Sequence, residues 1–218
     1  MLTPVRKRAE YHHGDLRAAA IQAARRIIES DGLPALGIRK VALRLNVTPP
    51  ALYRHFESLE ALQRELSADI RREIGEFMVA RRDKLRVVSS KKQYEISKLR
   101  SLGDSYIEYA RENPNLFQAA FFSCDDKLLA DHDELSWNAL QQSLNSLASL
   151  RMMNKKKSID ASLLAWSAVH GFSMLVATSA ISKREYASCK NSILDSVTGA
   201  ILDRKSTRLN SSHLVISY

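Results

Sequence analysis

The sequence predicts an all-α protein made of a short helical domain followed by a larger helical bundle. Glycine and proline are scarce, with seven and five in 218 residues, and no segment keeps the apolar–polar alternation of a half-buried strand. Apolar residues instead recur every three or four positions along most of the chain, as they do on the buried face of a helix. The length suits a small module joined to a larger core.

The first two predicted helices are marked by their ends. Helix one begins near Leu16, where Asp15 suits the positive end of the helix dipole, and Gly32 ends it. Helix two begins at Ile38 and ends at Asn46. Both helices repeat apolar residues on one face, so we expect them to pack against each other.

The third and fourth predicted helices begin at residues that commonly cap a helix. Thr48 precedes two prolines, which lose only an N–H that has no helical partner in a first turn, and this helix reaches about His55. Ser58 caps a fourth helix that runs to about Val79, before a lysine-rich connector at 81–92. Five further helices are expected near 93–112, 115–123, 128–151, 158–181 and 183–202.

The segment between helices two and three has the pattern of a helix-turn-helix. Ala42 is small where two helices would cross closely, and Asn46 tolerates the left-handed backbone that the turn requires. Val47 and Leu52 would then pack inward. Any short helical hairpin gives a similar apolar pattern, so this pattern alone leaves DNA binding open.

Residues 14–62 resemble the DNA-binding domain of the TetR family of regulators without a gap. The shared elements are Gly32, Ala35-Leu36, Val41-Ala42, Asn46-Val47-Thr48 and the block Leu52-Tyr53-Arg54-His55-Phe56. Two positions depart from the family pattern: Leu59 stands where a phosphate-contacting lysine is common, and Gly37 stands where helix two usually opens on serine or threonine.

The C-terminal part resembles one class within this family, often called the WHG domain. The resemblance lies in Trp166-x-x-x-His170-Gly171, and the N-terminal run Tyr11-His12-His13-Gly14-Asp15-Leu16 is also typical of that class. It implies a DNA-binding domain at 1–56 and a ligand-binding and dimerisation domain at 57–202.

The resemblance and the side-chain chemistry together predict the DNA contacts. We expect Tyr53, His55 and Arg39 to bind phosphates, and Thr48 to contact a phosphate or a base edge. Apolar contacts to thymine methyl groups are expected from Pro49, Pro50 and Ala51, whereas Arg54 suits guanine. The basic arm at residues 6–8 suits the minor groove or simple solvation, and these alternatives stay open.

Charge supports a polyanionic partner. The whole chain carries a formal charge of +9, and residues 1–56 hold ten lysines and arginines against four acidic residues. No catalytic, phosphate-loop or metal motif is present, which argues against an enzyme and against any cofactor. The cysteines at 124 and 189 have no metal or redox spacing, so we expect free thiols in a cytoplasmic protein.

Aromatic residues concentrate in the second domain, where we expect an apolar pocket for a small-molecule effector. The candidate lining residues are Phe121, Trp137, Trp166 and His170. For His170 the alternative is a histidine simply packed in the core. The uncharged stretch 161–182 is long enough to span a bilayer, but its serines and His170 favour a buried helix over a membrane span.

These features predict a ligand-responsive repressor that binds an inverted-repeat operator in double-stranded DNA as a homodimer. A second hypothesis keeps DNA binding but replaces the effector by a recruited protein partner. A third, a helical enzyme with an incidental helix-turn-helix, lacks a candidate nucleophile–base pair. Residues 203–213 look like a translated sequencing adapter, so we expect residues 203–218 to be a non-native tail outside the fold. The alternative, a natural disordered tail, gives the same structural prediction.

Overall fold

A computed structural model describes residues 13–87, 90–122 and 135–202, and within these ranges the chain is helical without strands. The helices are α1 (His13–Asp31), α2 (Ile38–Leu45), α3 (Pro49–Tyr53), α4 (Leu59–Asp83), α5 (Lys91–Glu112), α6 (Pro114–Ala120), α7 (Leu135–Ser149), α8 (Ser158–Ala177) and α9 (Tyr186–Ile201). The predicted all-α fold class is therefore confirmed.

The helix ends near the N-terminus follow the predicted capping chemistry, with one exception. Asn46 adopts the left-handed conformation, with φ 54° and ψ 41°. The Ser58 hydroxyl accepts a hydrogen bond from the Ala61 amide at 3.2 Å. Thr48 lies at the N-cap of α3, but its side chain makes no capping hydrogen bond. The start of α3 is thus stabilised by proline and by tertiary packing rather than by a side-chain cap.

Several predicted helix ends differ from the structure. Helix α4 continues to Asp83, because arginine is a good helix former and the Arg81 guanidinium lies over the Phe77 ring. Helix α8 ends at Ala177 rather than near 181, since Ser179 turns left-handed with φ 59°. Helix α7 ends before Arg151, which also has a positive φ. The predicted helical residues 128–134 lie outside the described part of the chain.

The buried apolar side chains form two clusters. The larger one runs without a break from the first three helices through α4 into α5, α6 and α8. The smaller one lies where α5, α7, α8 and α9 meet, around residues such as Leu99, Leu144 and Val197. The larger cluster contains residues from before and after position 56, and α4 packs with both sets. The clusters therefore do not mark a boundary at residue 56, which stays a prediction.

Helices α1 and α4 lie side by side and run in the same direction. Arg17 pairs with Glu65, and Arg25 pairs with Glu73, so both ion pairs join residues 48 positions apart. A constant offset over two turns of helix requires parallel helices in register. Helix α1 is thereby fastened to α4, the long helix that leads into the C-terminal part of the chain.

Helix α9 is fastened to α5 around the Glu108 carboxylate. This carboxylate accepts hydrogen bonds from Tyr186 at 2.7 Å, from Lys190 at 2.6 Å and from Arg111 at 2.7 Å. Burial disfavours the charged form, but these donors outweigh it and lower the pKa of Glu108 to about 2. The carboxylate therefore stays charged, and the ion pairs persist, throughout the physiological pH range.

Candidate DNA-binding surface and effector cavity

Helix α3 presents most of the predicted DNA contacts on its outer side. Tyr53 is 53% exposed, and Thr48, Pro50 and Arg54 are also exposed. Leu52 is fully buried against the helices behind it, and Phe56 is 2% exposed. Anchoring α3 by its inner face leaves the phenol, the guanidinium and the threonine hydroxyl free to meet a ligand outside the protein.

The remaining predicted DNA contacts lie beside this surface. Pro49, Ala51 and His55 are half-buried, and Arg39 is exposed on α2. The basic arm at residues 6–8 and the histidine at position 12 lie outside the described residues, as do the tail at 203–218 and the cysteine at 124.

An apolar cavity of about 50 Å³, partly open to the surface, lies among the helices of the second domain. Its walls come from α4, α5, α7, α8 and α9, and its aromatic lining consists of Tyr106, Trp166 and His170. One water molecule needs roughly 10–15 Å³ of such volume. The cavity is therefore small, and a ligand of more than a few atoms must displace side chains or extend outside it.

Three polar side chains of the cavity wall already have hydrogen-bond partners. The Tyr106 hydroxyl and the Nδ1 atom of His170 lie 2.9 Å apart and share a hydrogen bond. The His170 ring stacks parallel to the Trp166 ring, with centroids 6.0 Å apart. Burial lowers the pKa of His170, so the imidazole is neutral at physiological pH. Arg100 is bound to Asp195 and Asn191 on α9.

The four predicted ligand residues form one aromatic group around this cavity but do not all line it. Trp166 and His170 line the cavity. Phe121 lies on the other side of His170, at 4.6 Å between ring centroids, and faces an open groove between α6 and α8. Trp137 meets the edge of Trp166 at 6.0 Å without lining the cavity. Tyr106 was not predicted, although its position one turn before Tyr109 on α5 marks an aromatic helix face.

A hydrogen-bonded chain joins the helix that carries Tyr106 to α1 in the N-terminal part of the fold. The Tyr109 hydroxyl on α5 donates to Glu73 on α4 at 2.9 Å, and Glu73 accepts a second bond from Arg25 on α1 at 3.0 Å. Burial opposes the charge on Glu73, but the bonds from Arg25 and Tyr109 outweigh it and lower the pKa of this carboxyl. Tyr109 lies one helical turn from the cavity residue Tyr106.

Among the described residues, no group of three histidine, cysteine or acidic residues is placed to hold a metal ion. Helix α8 is long and apolar enough to cross a membrane by length and composition, and 33% of its apolar window is buried in the fold. In the protein, α8 packs against α5, α6, α7 and α9.

Comparisons with known proteins agree with this arrangement. Residues 20–66 match the family described as bacterial regulatory proteins, tetR family, and residues 99–189 match the tetracyclin repressor-like C-terminal domain. The chain is 27% identical over 191 residues to the uncharacterized HTH-type transcriptional regulator YobS of Bacillus subtilis (strain 168), covering 85% of this chain and 92% of that relative.

Solved structures share the fold at low identity. A protein of unknown function from Rhodococcus sp. RHA1 superposes with a TM-score of 0.72 at 16% identity, covering 89% of this chain and all of that one. The transcriptional regulator FadR from Bacillus subtilis, in complex with stearoyl-CoA, gives a TM-score of 0.63 at 16% identity, with 84% and 98% covered.

The matched regions contain both the recognition helix and the cavity-lining Trp166–Gly171 segment. The narrower resemblance to the WHG class stays a prediction. Relatives in this family are transcription regulators rather than enzymes. The chain belongs to the TetR family, and it is a DNA-binding transcriptional regulator.

Proposed function

We propose that this protein is a cytoplasmic repressor that binds an inverted-repeat operator as a homodimer and is released by an uncharged apolar small molecule. The observation that carries the proposal is the apolar cavity, which is joined through Tyr109 on α5 and Glu73 on α4 to α1, the helix that packs against α3. Repression would follow from occlusion of the polymerase by the bound dimer.

The chemistry of the cavity supports an uncharged effector. Its lining contains no acidic residue and no lysine, and Arg100 already has Asp195 as its partner. A charged ligand would lose its hydration without gaining a free counter-ion, which is costly in an apolar site. The FadR structure contains an acyl ligand in the same fold, which supports a small-molecule effector over a recruited protein partner.

The proposed coupling requires two conformations of the second domain. A ligand too large for about 50 Å³ would separate Trp166 or Tyr106 from their neighbours. Movement of α5 would then act on the Tyr109–Glu73–Arg25 chain and so on α1. The ligand weakens DNA binding only by its preference for the conformer in which the two reading helices do not fit successive major grooves.

The first prediction concerns the reading surface. Tyr53→Phe is expected to weaken binding to all duplexes alike, because the hydroxyl contacts phosphate. Arg54→Ala is expected to relax the preference at one base pair, with a loss of about 1–3 kcal/mol for the preferred base. The measurement is selection from a random duplex pool followed by titration at several salt concentrations. Equal wild-type affinity for selected and random duplexes would exclude a specific operator.

The second prediction concerns the effector. Uncharged compounds that raise the melting temperature in a thermal-shift screen are expected to bind less tightly when operator DNA is present, by a factor corresponding to about 1–3 kcal/mol. Ala165→Leu, which fills the cavity, should abolish this binding and leave DNA affinity unchanged. Ala80→Leu, at an exposed position on α4, is the matched control. Calorimetric titrations that agree with and without DNA would contradict the inducer role.

A further inference from the structure

The recognition helix depends on its neighbours for its orientation. Helix α3 has five residues, and its N-cap Thr48 makes no side-chain hydrogen bond to the helix. Isolated helices of this length are not stable in water. Leu52 and Phe56 bury the inner face, but apolar packing is non-directional and fixes the helix axis only loosely. A hydrogen bond at the end of α3 would therefore fix the direction of the helix axis more firmly than apolar packing does.

Arg17 on α1 supplies such contacts. Its Nη1 atom donates to the backbone carbonyl of His55 at 2.8 Å, just after α3. Its Nε atom donates to Glu65 on α4 at 3.1 Å, and Nη2 donates to the other oxygen of the same carboxylate. The guanidinium carbon also lies 5.1 Å from the centre of the Phe56 ring. One planar side chain thus joins α1, the end of α3 and α4.

We propose that Arg17 is a positioning residue for DNA reading, held in place by Glu65. The guanidinium fork can satisfy the carboxylate and the carbonyl at once because its donors have fixed relative directions. Its positive charge also suits the carbonyl end of α3. The exposed Tyr53 and Arg54 therefore keep one orientation relative to α1 and α4.

Positioning by Arg17 and simple electrostatics predict opposite effects of Glu65→Gln on DNA affinity. Glu65→Gln removes a negative charge from the DNA-binding part, so charge alone would strengthen binding to DNA. Positioning through Arg17 requires the opposite result, because the amide no longer holds the guanidinium by two charged hydrogen bonds. Arg17→Lys keeps the charge but loses the fork, and is expected to act in the same direction as Glu65→Gln.

The test uses the full-length protein and the tightest duplex that the wild type selects from a random-sequence pool. Arg17→Lys and Glu65→Gln are each expected to weaken binding about tenfold, and the double variant no more than either alone. The slope of log affinity against log salt should stay unchanged in Arg17→Lys. Arg26→Lys, exposed on the same helix, is the control and should change affinity less than about twofold. Stronger binding by Glu65→Gln, or unchanged binding by Arg17→Lys, would overturn the proposal.

Two further measurements test the role of Arg17. The first distinguishes positioning from a direct contact between Arg17 and DNA, and the second does not require a known operator. The slope of log affinity against log salt is compared between Arg17→Ala and the wild type. A slope smaller in magnitude by about one in the variant would show that Arg17 binds a phosphate itself, against the proposal. Hydrogen exchange of the His55 and Phe56 amides, which bond to the Leu52 carbonyl, is expected to quicken about tenfold in Arg17→Lys, with α9 unchanged. If the wild type selects no duplex, the operator proposal fails, and this exchange measurement alone decides on Arg17.

Discussion

Leu164→Asp is expected to convert the protein to a monomer at micromolar concentration and to weaken operator binding at least about a hundredfold. Leu164 lies on the outer side of α8 and is 44% exposed in a single protomer. A dimer places two reading helices on successive half-sites, and linking two modest interactions commonly gains a factor of about 10² to 10⁴. An aspartate facing its own copy across a two-fold interface would be repelled and desolvated.

The expected interface follows from the outer faces of α8 and α9. Ile159, Leu163, Leu164 and Leu175 are all exposed on α8. A methyl group added at Gly171 or Gly199 would meet nothing within 4 Å in the protomer. The α8 face offers apolar surface, and the two glycines leave room for close approach, so we propose that α8 and α9 of two protomers form a four-helix bundle.

The measurement is sedimentation velocity at several concentrations, combined with titration of a selected duplex. Val87→Asp is the matched control, because Val87 is 79% exposed in the connector after α4 and lies on neither α8 nor α9. It should leave both the dimer and the DNA affinity unchanged. A wild type that sediments as a monomer, or a Leu164→Asp variant that remains dimeric, would contradict this interface.

The parts of the fold that depend on local chemistry were accessible from the sequence. The left-handed Asn46, the cap at Ser58 and the buried Leu52 each follow from one residue and its near neighbours. The DNA contacts were predicted instead from the resemblance to the TetR family and from side-chain chemistry, because the helix pattern alone leaves DNA binding open. The predicted ends of α8 and α9 were less accurate, because no capping residue or glycine marks them in the sequence.

The connections between helices could not be predicted in this way. Arg17 and Glu65 are 48 residues apart, and each is an ordinary surface residue in its own helix. The same is true of Arg25 and Glu73. Only the parallel packing of α1 and α4 brings these charges together, and no periodicity within either helix specifies that packing. The cavity is likewise formed by five helices whose relative positions are set by the whole core.

At two glycines, the effect of a substitution by alanine depends on packing between helices, which the sequence alone does not reveal. Gly75 on α4 and Gly103 on α5 both lie within long helices, where glycine is less favourable than alanine by about 1 kcal/mol. A Cβ atom at Gly75 would lie 2.7 Å from the Cβ of Leu135 and 3.0 Å from the backbone nitrogen of Ser136. A Cβ at Gly103 would lie 2.7 Å from a terminal methyl group of Leu194 and 3.6 Å, an ordinary contact distance, from a methyl group of Val169.

Gly75→Ala is therefore expected to destabilise the protein by about 2 kcal/mol, whereas Gly103→Ala should be neutral or stabilising. Helix α7 begins at Leu135, so its backbone must move away from α4 to admit the methyl group, at a cost of about 1–3 kcal/mol for overpacking. The terminal methyl of Leu194 can rotate instead, and the helix-forming advantage of alanine remains. Thermal unfolding followed by circular dichroism measures both, at about 2–4 °C per kcal/mol for a chain of this size. Equal melting temperatures for the two variants would show that α4 and α7 do not approach each other this closely.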